Sequence, residues 1–134
     1  MIVLKHQSMM IQDQADLVAA RRLVSENAKE GGMTVTRENH LRTAASELLT
    51  NMLRHAGGGD MRLELIEDSG KQALRVIFLD HGPGIEDLER AMEDGYSTLA
   101  SLGNGLSSAR RLVDDFSIWS EKGQGTRATI LQWF

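Results

Sequence analysis

At 134 residues the chain has room for one domain with a proper core, and its net charge of −4, scattered without a basic stripe, argues against nucleic acid as a partner. The absence of cysteine excludes disulfides, thiolate metal sites and thiol redox chemistry. The first apolar run, Met1 to Leu4, is too short for a signal peptide or a bilayer span, so the expectation is a soluble, cytoplasmic, single-domain protein with no membrane partner.

Ile2 to His6, with Met9-Met10-Ile11 behind it, reads as a short first strand or hairpin at a sheet edge. Asp13 is placed to cap a helix, and Leu17, Ala20, Leu23, Val24 and Ala28 recur at helical spacing until Gly31-Gly32 stops it. Arg21 and Arg22 fall on the other side, either as a solvated face or as a partner surface. A second helix opens near Thr36 and runs to about His55, ahead of Gly57-Gly58-Gly59. At about 100° per residue, Leu41, Ala44, Ala45, Leu48, Met52 and Ala56 share one apolar stripe. Glu47, Asn51 and His55 line its edge one turn apart, as either a polar flank or one wall of a pocket.

From Asp60 to Glu67 the chain alternates as a half-buried strand, and Asp68-Ser69-Gly70-Lys71 turns it into an antiparallel partner. That partner, Ala73 to Leu79, is almost continuously apolar, as in a central strand. It ends in Asp80-His81-Gly82-Pro83-Gly84, where a carboxylate leaving the core needs hydrogen-bond donors and two glycines let a flat ligand approach the main chain. Taken alone, this turn serves equally as an ordinary strand-to-helix connection. Ile85, Leu88, Ala91 and Met92 mark a short helix ending at Gly95, followed by the small-residue loop Tyr96 to Leu102. Gly103-Asn104-Gly105 then opens a helix carrying Leu106, Ala109, Leu112 and Val113. Free amides at a helix start attract phosphate, and Ser97, Thr98 and Ser101 add hydroxyls, although a lone Gly-x-Gly is also common in plain loops. Phe116 to Ser120 and Thr126 to Phe134, joined across Glu121 to Gly125, close the chain as a hairpin.

The order of these signals carries more than each one alone: a helical Glu-x-x-x-Asn, Asp-x-Gly-x-Gly after a strand, Gly-x-Gly at a helix start, and Gly-x-Gly-Thr in the last hairpin. This series resembles the GHKL, or Bergerat-fold, ATPases, over nearly the whole chain from Asp13 onward. The segment between Gly84 and Gly103, about twenty residues, is short for that superfamily. Together with Met92-Glu93-Asp94-Gly95-Tyr96-Ser97-Thr98 and Arg111 to Phe116, it is similar to the anti-sigma-factor serine/threonine kinases, above all the stressosome switch kinases of the RsbT type. The fold so implied is α+β, a two-layer sandwich of a mixed, mostly antiparallel sheet with helices on one face.

The resemblance also implies roles. Asp80 would accept a hydrogen bond from the exocyclic amine of adenine, with Thr126 assisting directly or through water, while Gly82 and Gly84 admit base and sugar. Asn51 would complete the shell of a Mg²⁺ ion, and Glu47 would be the general base for a partner's Ser or Thr hydroxyl. Gly103, Gly105, Ser97 and Thr98 would hold the phosphates of ATP or ADP. His55 sits where either a structural hydrogen bond or the site could use it, and His81 is open in the same way. The implied function is phosphorylation of a STAS-domain antagonist or scaffold in a partner-switching circuit, with a PP2C-type phosphatase or a sigma factor as second partner. The alternative is a nucleotide-gated anti-sigma factor or phosphatase-activating module with little catalysis.

Overall fold

The computed structural model describes residues 1–85, 92 and 102–134. Five strands form one sheet in the order β1-β2-β3-β5-β4, with β1 at Ile2–Ile11, β2 at Gly59–Asp68, β3 at Lys71–Asp80, β4 at Asp115–Glu121 and β5 at Gly125–Trp133. Helices α1, Gln14–Glu30, α2, Val35–Ala56, and α3, Leu102–Leu112, are the others among the described residues. All four strand pairings are antiparallel, the limit of the mostly antiparallel sheet expected. The helices cover one face, so the two-layer expectation holds, and β3 is the middle strand.

Local chemistry explains the element ends. Asp13 caps α1 by accepting from the Asp16 amide at 2.9 Å. The cap of α2 is Thr34, two residues before the Thr36 read from sequence; its hydroxyl accepts from Arg37 N at 3.3 Å. Gly57, at φ 74°, ends α2, its amide and that of Gly58 returning to Leu53 O and Met52 O. Ser69 and Gly70 both have positive φ, which gives the tight two-residue turn whose twist suits the β2–β3 hairpin. The amino-terminal segment is a single ten-residue edge strand, because it pairs along its length with β2 and absorbs one irregularity between Val3 and Lys5 instead of folding back.

The core lies between the helices and the inner sheet face: Leu17, Ala20, Val24, Leu41, Ala45, Leu48, Leu49 and Met52 meet Met61, Leu63, Leu74, Val76, Phe78, Ala128 and Ile130. Leu49 is fully buried, so α2 runs through the centre, flanked by α1 and α3. Its first turn is pinned to the sheet. Arg37 donates to Asp114 Oδ2 at 2.8 Å, and Gln132, itself buried, accepts from Asp114 N at 2.9 Å. On the helix-free face Glu64 is buried between Arg75, at 2.7 Å, and Arg62, at 3.2 Å, beside a small cluster of Ile66, Ala73 and Leu131. The half-buried strand read from alternation therefore covers apolar side chains on both faces.

Candidate active site

β3 delivers Asp80 at its last position, and the β3–β5 register sets it opposite Thr126. Alternation along β3 turns Asp80 to the same face as Leu74, Val76 and Phe78, toward the helices. Its Oδ1 accepts from the amides of Gly82, at 3.0 Å, and Thr126, at 3.2 Å. The carboxylate is thus fixed by main chain on both sides, one bond from its own turn and one from the neighbouring strand.

The glycines of the turn are required by close approach. A side chain at Gly82 would meet Ala56 at the end of α2, its Cβ only 2.8 Å from Ala56 Cα. Gly84 combines φ +76° with main-chain contact: a Cβ there would overlap the carbonyl of Glu121 in the β4–β5 hairpin. The same hairpin grips the turn through Gly123 N to Pro83 O at 2.7 Å and Ile85 N to Ser120 Oγ at 2.7 Å.

Along α2, Glu47, Asn51 and His55 are half-buried and stacked as the sequence spacing requires, spanning about 12 Å of helix axis. His55 lies at the Asp80 end. Burial pushes its imidazole below the ordinary value of 6.5 and the Arg54 charge adds to this, while the Asp80 carboxylate acts in the opposite direction. Among the described residues neither Asn51 Nδ2 nor His55 Nε2 has a hydrogen-bond partner, although both atoms are buried. The structural bond considered for His55 is therefore not made at Nε2. An orphaned buried polar atom costs about 1–3 kcal/mol, and two on successive turns of one helix mark a place where polar ligand atoms fit.

Gly103 and Gly105 fall inside the first turn of α3, among the residues whose amides lack partners within the helix, and α3 packs against α2. Ser97, Thr98 and the short helix read after the glycine turn, apart from Ile85 and Met92, lie outside the described residues. The structure thus gathers Asp80, Gly82, Gly84, Thr126 and His55 at one end of the sheet, with Asn51 and Glu47 continuing along α2. Sequence reading missed Ser120, whose hydroxyl contacts Ile85 N, Gly125 O and Thr126 Oγ1. The signal was there: Phe116, Ile118 and Ser120 alternate, so a polar residue stands at an inward position of β4.

A strand-end carboxylate beside a glycine turn, under a helix with polar atoms unpartnered among the described residues, belongs here to a two-layer α+β fold of the ATPase type. Residues 11–133 match the family described as histidine kinase-like ATPase domain, and the chain belongs to that family. The chain is 42% identical over 123 residues to the serine/threonine-protein kinase RsbT of Bacillus subtilis (strain 168), covering 92% of each. It is 32% identical over 122 residues to the anti-sigma F factor of Clostridium acetobutylicum, covering 86% of this chain and 83% of that protein. Among solved structures, the histidine kinase domain from the Erythrobacter litoralis EL346 blue-light activated histidine kinase superposes with a TM-score of 0.57 at 23% identity, over 88% of this chain and 59% of that one. That likeness concerns the fold. The family and branch expected from sequence are borne out, and membership in an ATPase family carries nucleotide binding with it.

Proposed function

We propose that this chain is an ATP-dependent protein serine/threonine kinase that phosphorylates a STAS-domain antagonist or scaffold and thereby switches regulatory partners in the cytoplasm. The observation that supports the site assignment is the pair of buried nitrogens on Asn51 and His55, one turn apart and without a partner among the described residues, with His55 at the end of α2 that senses the fixed Asp80 carboxylate. The kinase assignment agrees with the name of the 42%-identical relative, which matches over 92% of the chain.

In this reading Asp80 selects the base. With Oδ1 held by two amides, Oδ2 is the atom that accepts from the exocyclic amine of adenine, and Thr126 stands beside it. Gly82 and Gly84 let the turn beside that edge pack closely on Ala56 and on the β4–β5 hairpin. The amides of Gly103 and Gly105 at the α3 start, with Ser97 and Thr98, would hold the phosphates.

The residues present fit Mg²⁺: Asn51 offers a hard amide oxygen, and no hydrogen bond at its Nδ2 fixes the group in another orientation. One protein oxygen is enough for an ion that retains water and phosphate ligands, and when bound it neutralises charge on the transferring phosphoryl group. Glu47, one turn from Asn51, takes the proton of the substrate hydroxyl as its oxygen bonds to the γ-phosphorus and the bond to the β-γ bridging oxygen breaks, releasing ADP.

The test is transfer of labelled γ-phosphate to candidate STAS-domain proteins by wild type, Glu47→Ala and Asn51→Ala. Transfer by wild type that is lost in both variants, with ATP binding retained by Glu47→Ala, supports the assignment. ATP binding without transfer to any STAS protein overturns it. That outcome would favour the second reading, a nucleotide-gated binding module, which the matches to anti-sigma F factors make specific: the partner to try is a sigma factor.

A further inference from the structure

Ser120 plays no part in the roles assigned above, yet its hydroxyl is the most heavily used in the site. It receives the Ile85 amide at 2.7 Å, lies 2.9 Å from Gly125 O and 2.8 Å from Thr126 Oγ1. A serine hydroxyl has one proton and two lone pairs. The Ile85 bond occupies a lone pair, and the carbonyl of Gly125 can only accept, so the Ser120 proton belongs to Gly125 O. The remaining short contact, to Thr126 Oγ1, then needs a proton from Thr126. Thr126 therefore donates inward and presents lone pairs alone to the pocket, next to a carboxylate that also only accepts.

We infer that Ser120 is a positioning residue for purine specificity: by consuming the Thr126 proton it makes the base edge of the site a double acceptor, which suits the amine of adenine and repels the carbonyl of guanine. This rests on the nucleotide site proposed above and adds to it the residue that sets the polarity of Thr126. Without Ser120 Oγ the Thr126 hydroxyl is free to turn its proton outward, toward a guanine O6.

The consequence separates specificity from simple support. If Ser120 only braced the turn through Ile85, its loss would weaken ATP and GTP alike; as a polarity device, its loss weakens ATP and strengthens GTP. The experiment measures ATP and GTP dissociation constants by calorimetry for wild type, Ser120→Ala, Ser120→Thr, Thr126→Val and the Ser120→Ala/Thr126→Val double variant. The preference for ATP over GTP is expected to fall about tenfold in Ser120→Ala, to return in Ser120→Thr, and to change less than about twofold when Ser120→Ala is added to Thr126→Val, as coupled neighbours require. Ser120→Cys, which keeps the volume and loses most of the hydrogen bonding, reads the same ratio should Ser120→Ala fail to fold. A preference unchanged within twofold, or an equal loss of both nucleotides, overturns the inference while leaving the nucleotide site standing. Failure of wild type to bind ATP overturns both.

Discussion

Replacing Asp80 by asparagine tests base recognition with little disturbance of the turn. An asparagine oxygen can take over the Oδ1 position and keep both amide bonds, from Gly82 at 3.0 Å and Thr126 at 3.2 Å. These bonds become neutral instead of charge-assisted, so the folded state should lose only about 1 kcal/mol. The other atom then becomes an NH₂ group where a carboxylate oxygen stood, and it faces the adenine amine donor to donor. Losing a charged hydrogen bond and leaving two donors opposed costs about 3–4 kcal/mol, a several-hundredfold rise in the ATP dissociation constant. Guanine, with an acceptor at that position, escapes most of the penalty. Calorimetric titration with ATP and GTP, alongside a urea melt of each protein, measures all three quantities. Asp80→Asn that binds ATP within threefold of wild type, or that loses both nucleotides equally, would refute the reasoning.

Three further outcomes are expected. Gly84→Ala must place a Cβ at φ +76° against the Glu121 carbonyl, and should lose about 2 kcal/mol or more of stability together with ATP binding; a urea midpoint equal to wild type would contradict the contact. Thr34→Ala removes the α2 cap and should cost about 1 kcal/mol, whereas Thr36→Ala should stay within about 0.5 kcal/mol, a pair of melts that distinguishes the two candidate caps. The His55 imidazole, held below 6.5 chiefly by burial, binds fewer protons in the folded than in the unfolded chain. Stability should therefore fall as pH drops from about 6.5 toward the folded value and level off below it. His55→Gln should flatten that acid limb in a series of thermal melts, and an unchanged slope would show that His55 does not contribute.

The fold was legible because its periods were clean. Alternation in β2 and the apolar run of β3 specified the central hairpin, and the α2 stripe from Leu41 to Met52 lies on the core side as helical spacing required. Asp80 could be singled out because a carboxylate directly after an apolar strand has few alternatives to a fixed hydrogen-bonding role. Other features depend on contacts distant in the chain. Thr34 and Thr36 are equivalent as local caps, and the choice falls on Thr34 because Met33 is buried and the chain must turn there. The first strand looked too mixed to run ten residues, since its polar members Lys5, His6, Gln7 and Ser8 are tolerable only on an exposed edge. Glu64 reads as a wet residue until Arg75, eleven positions later, is placed across from it. Alternation marks Ser120 as a polar residue at an inward position of β4, but what it holds is visible only once Ile85 and Thr126 are brought to the same oxygen.

The hydrogen bond from Thr126 to Asp80 joins residues 46 positions apart, whereas the β2–β3 and β4–β5 hairpins close through short local turns. Each hairpin is closed by a local turn; the edge proposed to read the base exists only once β3 and β5 have found each other across a much longer loop. A half-assembled chain, with its strands formed but that seam open, has no place for a purine. Nucleotide is therefore a ligand of the finished fold alone, and at a hundred times its dissociation constant it would hold the seam shut by about 2.7 kcal/mol. Cellular ATP would then set how much of this protein persists as well as what it does, since a drop in nucleotide would remove that support from the seam.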